Sequence, residues 1–248
     1  MPDFVMIGGQ RCGTTSLHAS LADHAEIRAG FRKEVHYFDL HHERGEAWYR
    51  ANFPLRRGLG GRSTFEATPN YLASVDTPRL MSALLPDVKL IALLRNPIER
   101  THSSWRLRKQ EGAEDRDFTT AIEDELAGAA HGYDDLDEER NRWQDRAMRW
   151  SYMEKSCYDE HFERWFEFFD PRQFLILQSE ALFSDPAHAL AQIQDFLEIR
   201  IDPSITLPQI NAARSTTIDP VFREYLSAYF APHIKRLSET VSQDFDWS

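Results

Sequence analysis

The stretch Gly8-Gly9-Gln10-Arg11-Cys12-Gly13-Thr14-Thr15 constrains this chain more than any other part of it. The run before it, Asp3 to Gly8, is short, apolar and closed by glycine, the pattern of a buried strand. The run after it, Thr14 to Leu21, reads as a helix with Thr and Ser in its opening turn. A Gly-x4-Gly turn between a strand and a helix lets the backbone follow a tight path. Successive N–H groups and the helix N-terminus then face an anion. A chain with this loop is restricted to folds in which buried strands alternate with helices.

The rest of the sequence keeps to that alternation. Lys89 to Leu94 reads as a second buried strand, and Asn96-Pro97 opens a helix with proline at its first position. Phe174 to Leu177 is a third strand. Buried strands between helices predict an α/β fold, a single P-loop-like domain with a central parallel β-sheet flanked by helices. Tyr158, Phe162, Trp165, Phe166 and Phe169 share one face of a helix, as do Leu190, Ile193 and Leu197, and both stripes are core. From Pro220 the chain reads as helical again, with an interruption expected near Pro232. No repeat or linker divides the chain, so residues 1–248 are expected to form one domain.

Charge is unevenly spread. The formal net charge is −11, and between Glu111 and Arg146 the sequence carries 13 acidic and 4 basic side chains. This acidic insertion, about 111–146, is the expected surface excursion, set against a near-neutral body. No basic stripe with interleaved aromatics appears, which argues against nucleic acid as a partner. No apolar run approaches the roughly 18 residues of a membrane span. Met1-Pro2-Asp3-Phe4 does not start a signal-peptide pattern, and the two cysteines, Cys12 and Cys157, are too few for a disulfide framework. A reduced, cytoplasmic setting is expected.

Two absences narrow the anion. A nucleoside-triphosphate loop carries Lys where Thr14 stands, and its second strand supplies an Asp for magnesium, whereas the strand Leu90–Leu94 runs into Arg95. Gly9, Gln10, Arg11, Cys12 and Gly13, with the hydroxyls of Thr14, Thr15 and Ser16, are the expected anion-binding group. The run Phe4 to Leu17 resembles the 5′-phosphosulfate loop of sulfotransferases that use 3′-phosphoadenosine-5′-phosphosulfate (PAPS). The likeness is greatest to the branch containing the heparan sulfate N- and O-sulfotransferases and their bacterial relatives. Leu90 to Trp105 is similar to that family's 3′-phosphate motif, which maps its Arg and Ser to Arg95 and Ser103. Near the C-terminus, Asn211-Ala-Ala-Arg214 resembles the loop that closes over the nucleotide, and only Arg214 answers to its longer basic version. The likeness continues through Ser156 to Trp165, Gln173 to Glu180 and Asp185 to Leu197.

The resemblance also assigns chemistry. Arg32-Lys-Glu-Val-His-Tyr-Phe-Asp39 resembles the acceptor-side motif, in which the Glu is the catalytic base; that position is Glu34. Sulfuryl transfer needs a group that removes the acceptor's proton while the leaving phosphate stands in line behind the sulfur. Partial burial near the phosphosulfate predicts a raised proton affinity for Glu34. His36 is the second candidate base, and in the related glycan enzymes its position lies in the acceptor site. Many relatives carry Lys where this chain has Arg11. Arg can stabilise the same charge but is a poor proton donor, and Lys33 stands ready as a second cation. The implied catalytic set is Glu34, Arg11, Lys33 and His36, with PAPS as donor, 3′,5′-bisphosphoadenosine (PAP) as product and no metal required. The implied acceptor is a hydroxyl or amine of a carbohydrate or small metabolite, for which the acidic insertion offers acceptor-side structure. The rival readings are a nucleotide kinase-like phosphotransferase and a catalytically silent nucleotide-binding module.

Overall fold

The computed structural model describes residues 1–55, 58, 60–128, 151–200, 207–208, 210 and 217–247. Arg214 and the part of the acidic insertion from 129 to 146 lie outside the described residues. The chain divides into two compact units, Met1–Arg95 with Trp165–Ala212, and Asn96–Arg164 with Ala213–Ser248.

The first unit is built on a five-stranded sheet. Its strands are β1 (Phe4–Gly8), β2 (Ile27–Ala29), β3 (Ser63–Ala67), β4 (Lys89–Leu94) and β5 (Phe174–Gln178). The order is β2-β3-β1-β4-β5, and every pairing is parallel. The three strands expected from sequence are present, and β2 and β3 are additional to them. Ile27–Ala29 is only three residues long. Ser63–Ala67 contains Ser63, Thr64 and Glu66 and so lacks the apolar run that marks a buried strand. Helices α1 (Thr14–Ala22), α7 (Ser179–Ser184) and α8 (Pro186–Leu197) supply Leu17, Leu21, Leu182, Leu190 and Ile193 to a core shared with Phe4, Met6, Phe65, Ile91, Leu93 and Leu177. Alternate residues of the same strands, Val5, Ile7, Leu90 and Ala92, are equally buried, as expected of a parallel sheet covered on both faces. Trp165 is fully buried and donates its indole N–H to the Leu72 carbonyl at 3.0 Å. Short helices α2 (Gly45–Arg50) and α3 (Thr77–Leu84) complete the unit.

The second unit is helical. It contains α4 (Pro97–Gln110), α5 (Phe118–Leu126), most of α6 (Tyr158–Phe166) and α9 (Pro220–Val241). Asn96 caps α4, its side-chain oxygen accepting the Ile98 and Glu99 N–H groups at 2.9 and 3.3 Å. Its core joins Ile98, Phe118, Ile122, Tyr152, Met153, Leu226 and Phe230. One expectation changes here. Helix α9 runs through Pro232 instead of breaking, because its buried residues Leu226, Phe230 and Leu237 hold both halves on one packed face. In the described start of the acidic insertion, Glu111, Asp115, Asp117 and Glu123 are exposed, while two carboxylates turn inward. Glu114 is buried against Arg116 and the Tyr152 hydroxyl, and Glu125 accepts the N–H groups of Tyr152, Met153 and Glu154. Among the described residues, no helix is long and apolar enough to cross a membrane.

Candidate functional site

Strand β1 lies at the centre of the sheet, with β3 on one side and β4 on the other. The chain reverses its direction of winding there, which is where open α/β sheets bind ligands, beyond the strand C-termini. The loop after β1 occupies this position. The Gly9 N–H donates to the Leu93 carbonyl of β4, and the Cys12 N–H turns back to the Gly9 carbonyl at 3.2 Å. Arg11 and Gly13 both take positive φ, at 70° and 90°. A Cβ on Gly13 would lie 2.8 Å from the Phe183 ring, so both conformation and space require glycine. Gly13 offers no side-chain cap to α1, so the first N–H groups of the helix, from Thr14 onward, are presented to an incoming anion. Arg95, just after β4, donates to the Arg11 carbonyl at 3.5 Å, which brings two of the expected cations to one edge. The uncapped amides, Arg11 and the Thr14 and Thr15 hydroxyls make a donor set that fits a phosphosulfate anion. Thr14 is also buried, at 4% exposure, and Ser16 fully so; the Ser16 hydroxyl accepts the Ile210 N–H at 3.2 Å.

The loop after β2 carries the proposed acid–base residues. Its anchor is the Glu34 N–H, which donates to Ala67 at the end of β3 at 3.0 Å. Glu34 and His36 hold φ of 60° and 54°, a left-handed backbone that costs each of order 1–3 kcal/mol and persists only where neighbours enforce it. Lys33 Nζ pairs with Glu34 Oε1, His36 Nε2 lies 3.6 Å from Glu34 Oε2, and His36 Nδ1 lies 2.9 Å from the buried Asp39 carboxylate. Asn70 also donates to Asp39, at 3.3 Å. His18, on α1, completes the neighbourhood. Burial and then the Lys33 charge push its pKa down, partly offset by Glu34.

This geometry corrects the expected proton affinity of Glu34. Its carboxyl is held down to about 2, first by the His36 imidazole 3.6 Å away and then, against the opposing effect of burial, by Lys33. The His36 imidazole is raised to about 9: burial disfavours its charge, but the Asp39 and Glu34 carboxylates together more than offset that. The resting loop therefore holds an imidazolium between two carboxylates. The linkage follows from those directions. The contribution of Glu34 to stability is present above its ordinary pKa of 4.5 and is lost as pH falls towards 2. That of His36 is complete below 6.5 and is lost as pH rises through about 9. A His36→Gln variant should therefore be less stable than the parent near neutral pH, with the difference closing as thermal melts are taken up through pH 9. A ring proton that titrates near 6.5 by NMR would contradict the arrangement.

Beneath this loop lies a network that sequence reasoning missed. Glu66, at the end of β3, is fully buried. It accepts from the Tyr49 hydroxyl at 2.5 Å, Thr68 Oγ1 at 3.1 Å and the Tyr71 hydroxyl at 3.4 Å. Thr68 Oγ1 in turn accepts the His36 N–H at 3.4 Å, and Tyr71 accepts the Tyr37 N–H at 2.9 Å. Burial pushes the Glu66 carboxyl up to about 7 in spite of these donors. One buried carboxylate thus underpins the backbone that carries Glu34 and His36. The visible signal was a Glu between Phe65 and Ala67, followed by Thr68-Pro69-Asn70-Tyr71.

The first unit brings together Arg11, Thr14, Thr15, Lys33, Glu34, His36 and Arg95 along one edge of its sheet. Ser103 lies within α4 of the second unit, buried to 4% exposure. Arg214 is outside the described residues.

A family model described as Sulfotransferase domain matches residues 1–218. Human heparan sulfate glucosamine 3-O-sulfotransferase 6 is 34% identical over 200 residues, which is 80% of this chain and 53% of that protein. Human bifunctional heparan sulfate N-deacetylase/N-sulfotransferase 3 is 27% identical over 225 residues, covering 88% of this chain and 24% of its own length. The chain thus spans about half the length of the human 3-O-sulfotransferases it matches. Among solved structures, a sulfotransferase from Alicyclobacillus acidocaldarius superposes with a TM-score of 0.79 at 25% identity, over 100% of this chain and 98% of its own.

Proposed function

The chain belongs to the sulfotransferase family, and on that premise we propose that it moves a sulfuryl group from PAPS to a hydroxyl or amine of a carbohydrate or small glycosylated metabolite. When bound, PAPS supplies an activated sulfuryl group on a phosphate leaving group. The uncapped start of α1, Gly9 to Gly13 and the Thr14 and Thr15 hydroxyls hold the 5′-phosphosulfate. The roles of Arg95, Ser103 and Arg214 towards the 3′-phosphate rest, for each of the three, on the motif resemblance alone. Ser16 supports the loop from behind through its bond to Ile210. The family model runs from residue 1 to 218, through both compact units, which favours reading them as one sulfotransferase domain.

Glu34 removes the acceptor proton as the acceptor oxygen or nitrogen attacks sulfur. Arg11 and Lys33 neutralise the charge that gathers on the transferring group and the leaving phosphate. A carboxylate held down to about 2 is a weak base, and the same contacts suggest how it gains strength. Lys33 is shared between Glu34 and the arriving anion; as it turns to the anion, the carboxylate loses a cation and its proton affinity rises. His36, fixed by Asp39, keeps Glu34 aimed while this happens. The observation that supports the reading is the anchoring of the Glu34 loop beside the strand that feeds the phosphate loop. The Glu34 N–H donates to the Ala67 carbonyl at 3.0 Å, and the next residue, Thr68, donates its N–H to the Met6 carbonyl of β1 at 3.1 Å.

Carbohydrate as the acceptor class rests on the relatives, whose names specify heparan sulfate glucosamine. Calorimetry with PAP and with ATP–magnesium tests the nucleotide. Tight PAP binding without preference for ATP is the expected result, and failure to bind PAP would overturn the reading. Radiolabelled PAPS offered with a panel of glycoside and small-metabolite acceptors then identifies what receives the group.

A further inference from the structure

The second unit contains a cluster that sulfuryl transfer does not use. Cys157, Glu160 and His233 each offer one ligand atom, and those atoms all lie within 4.8 Å of one another. Cys157 directly precedes α6, Glu160 is one turn along the same face of that helix, and His233 comes from α9. Cys157 is 3% exposed and Glu160 is exposed, so the cluster runs from the interior to solvent.

The orientation of His233 is the second observation. Its Nδ1 lies 2.9 and 3.1 Å from the two oxygens of Asp159, whose side chain is fully buried. Arg236 closes the other side, its Nε donating to Asp159 at 2.8 Å and its Nη2 lying 3.0 Å from His233 Nδ1. Nδ1 faces both the Asp159 carboxylate, which can accept a proton from it, and the Arg236 guanidinium, which can only donate. Because Arg236 Nε and Nη2 are both taken up by Asp159 at 2.8 Å, the proton is assigned to Nδ1. The lone pair of Nε2 then points at Cys157 Sγ, 3.7 Å away. A histidine oriented by a carboxylate on its far nitrogen is the usual outer-shell arrangement of a metal ligand. Bond lengths of about 2.3 Å to sulfur and about 2.0–2.1 Å to nitrogen in a tetrahedron place S and N about 3.6 Å apart. The observed spacing needs little adjustment to receive an ion.

We propose that Cys157, His233 and Glu160 form a binding site for zinc or a similarly borderline-soft divalent ion, with water in the fourth position and Asp159 fixing the histidine. Thiolate with imidazole selects against magnesium and calcium, which require oxygen ligands. On binding, the Cys157 thiol loses its proton to solvent as the sulfur–metal bond forms, and no electron is transferred. A nucleophilic triad is the other chemistry that Cys, His and Asp can offer, and the burial of Cys157 closes the sulfur to a substrate. None of the ligands belongs to the set assigned to sulfuryl transfer, so the ion would act by joining α6 to α9.

The test uses the full, tag-free chain after chelation, titrated with zinc chloride, magnesium chloride and cobalt chloride. One zinc per chain should bind and raise the melting temperature, and magnesium should do neither. Cobalt should give a thiolate charge-transfer band. Cys157→Ser should abolish that band, and Asp159→Asn should weaken zinc about 10–100-fold. Because buried substitutions can unfold the unit, Glu160→Gln provides a solvent-exposed check and should weaken zinc at least about tenfold, an effect of about 1.4 kcal/mol. Absence of zinc binding would overturn the site. So would a cobalt band that survives Cys157→Ser, since Cys12 is the only other cysteine, or zinc affinity unchanged in Glu160→Gln.

Discussion

Replacing Glu34 with Gln should lower turnover by about 10²–10⁴-fold, the usual contribution of a positioned general base. PAP affinity should change by no more than about twofold, because an interaction made only in the transition state leaves ground-state binding intact. The amide keeps the shape of the side chain and can still accept from Lys33 and His36, but it cannot take a proton. Single-turnover measurement with PAPS separates the chemical step from binding, and a near-normal rate would remove Glu34 from the mechanism. The rival base, His36, predicts a different pH profile. An imidazole raised to about 9 must first lose its proton, so a rate limited by it would climb steadily towards pH 9. With Glu34 as base and His36 as its protonated support, the rate should instead fall as pH passes 9.

Glu66→Ala should be the most damaging substitution for stability among the residues around the site. Removing the carboxylate leaves the hydroxyls of Tyr49, Thr68 and Tyr71 without their acceptor in a buried region. At about 1–3 kcal/mol for each unsatisfied buried group, the loss should reach at least about 3 kcal/mol, read by urea denaturation. Activity should fall as well, because Thr68 and Tyr71 receive the N–H groups of His36 and Tyr37. A loss below about 1 kcal/mol would show that the hydroxyls find other partners. Glu66→Gln retains one acceptor oxygen and should lie between the two.

The parts of this protein that announced themselves in its sequence are those where one residue type satisfies a local demand. Gly8-x4-Gly13 required a turn between a strand and a helix, and Asn96-Pro97 opened α4 where expected. The apolar runs at β1, β4 and β5 were legible because both faces of a parallel sheet are buried. What stayed hidden depends on contacts between distant segments. Strand β2 is too short to carry a period, and β3 is disguised by Glu66, whose partners Tyr49 and Tyr71 come from other elements. The motif around Glu34 pointed to the right neighbours but suggested the opposite proton affinity. Partial burial raises a carboxyl pKa, and only the spatial arrangement reveals that Lys33 and the Asp39-supported imidazolium of His36 outweigh it. Pro232 was a local signal overridden by packing along α9.

The strand order β2-β3-β1-β4-β5 also governs how this chain comes off the ribosome. Strand β1 is made first but sits in the middle, so it waits for β3 on one flank and β4 on the other. Strand β4 then presents an apolar, unpaired edge until β5 arrives, because Leu90 finds its partner only at Phe174. Everything translated between them must be accommodated while Leu90–Leu94 remains exposed to other nascent chains. Slow, non-local pairing of this kind lengthens the interval in which aggregation competes with folding. Yield in a heterologous host should therefore respond more to conditions that slow synthesis or shield that edge than to substitutions on the finished surface.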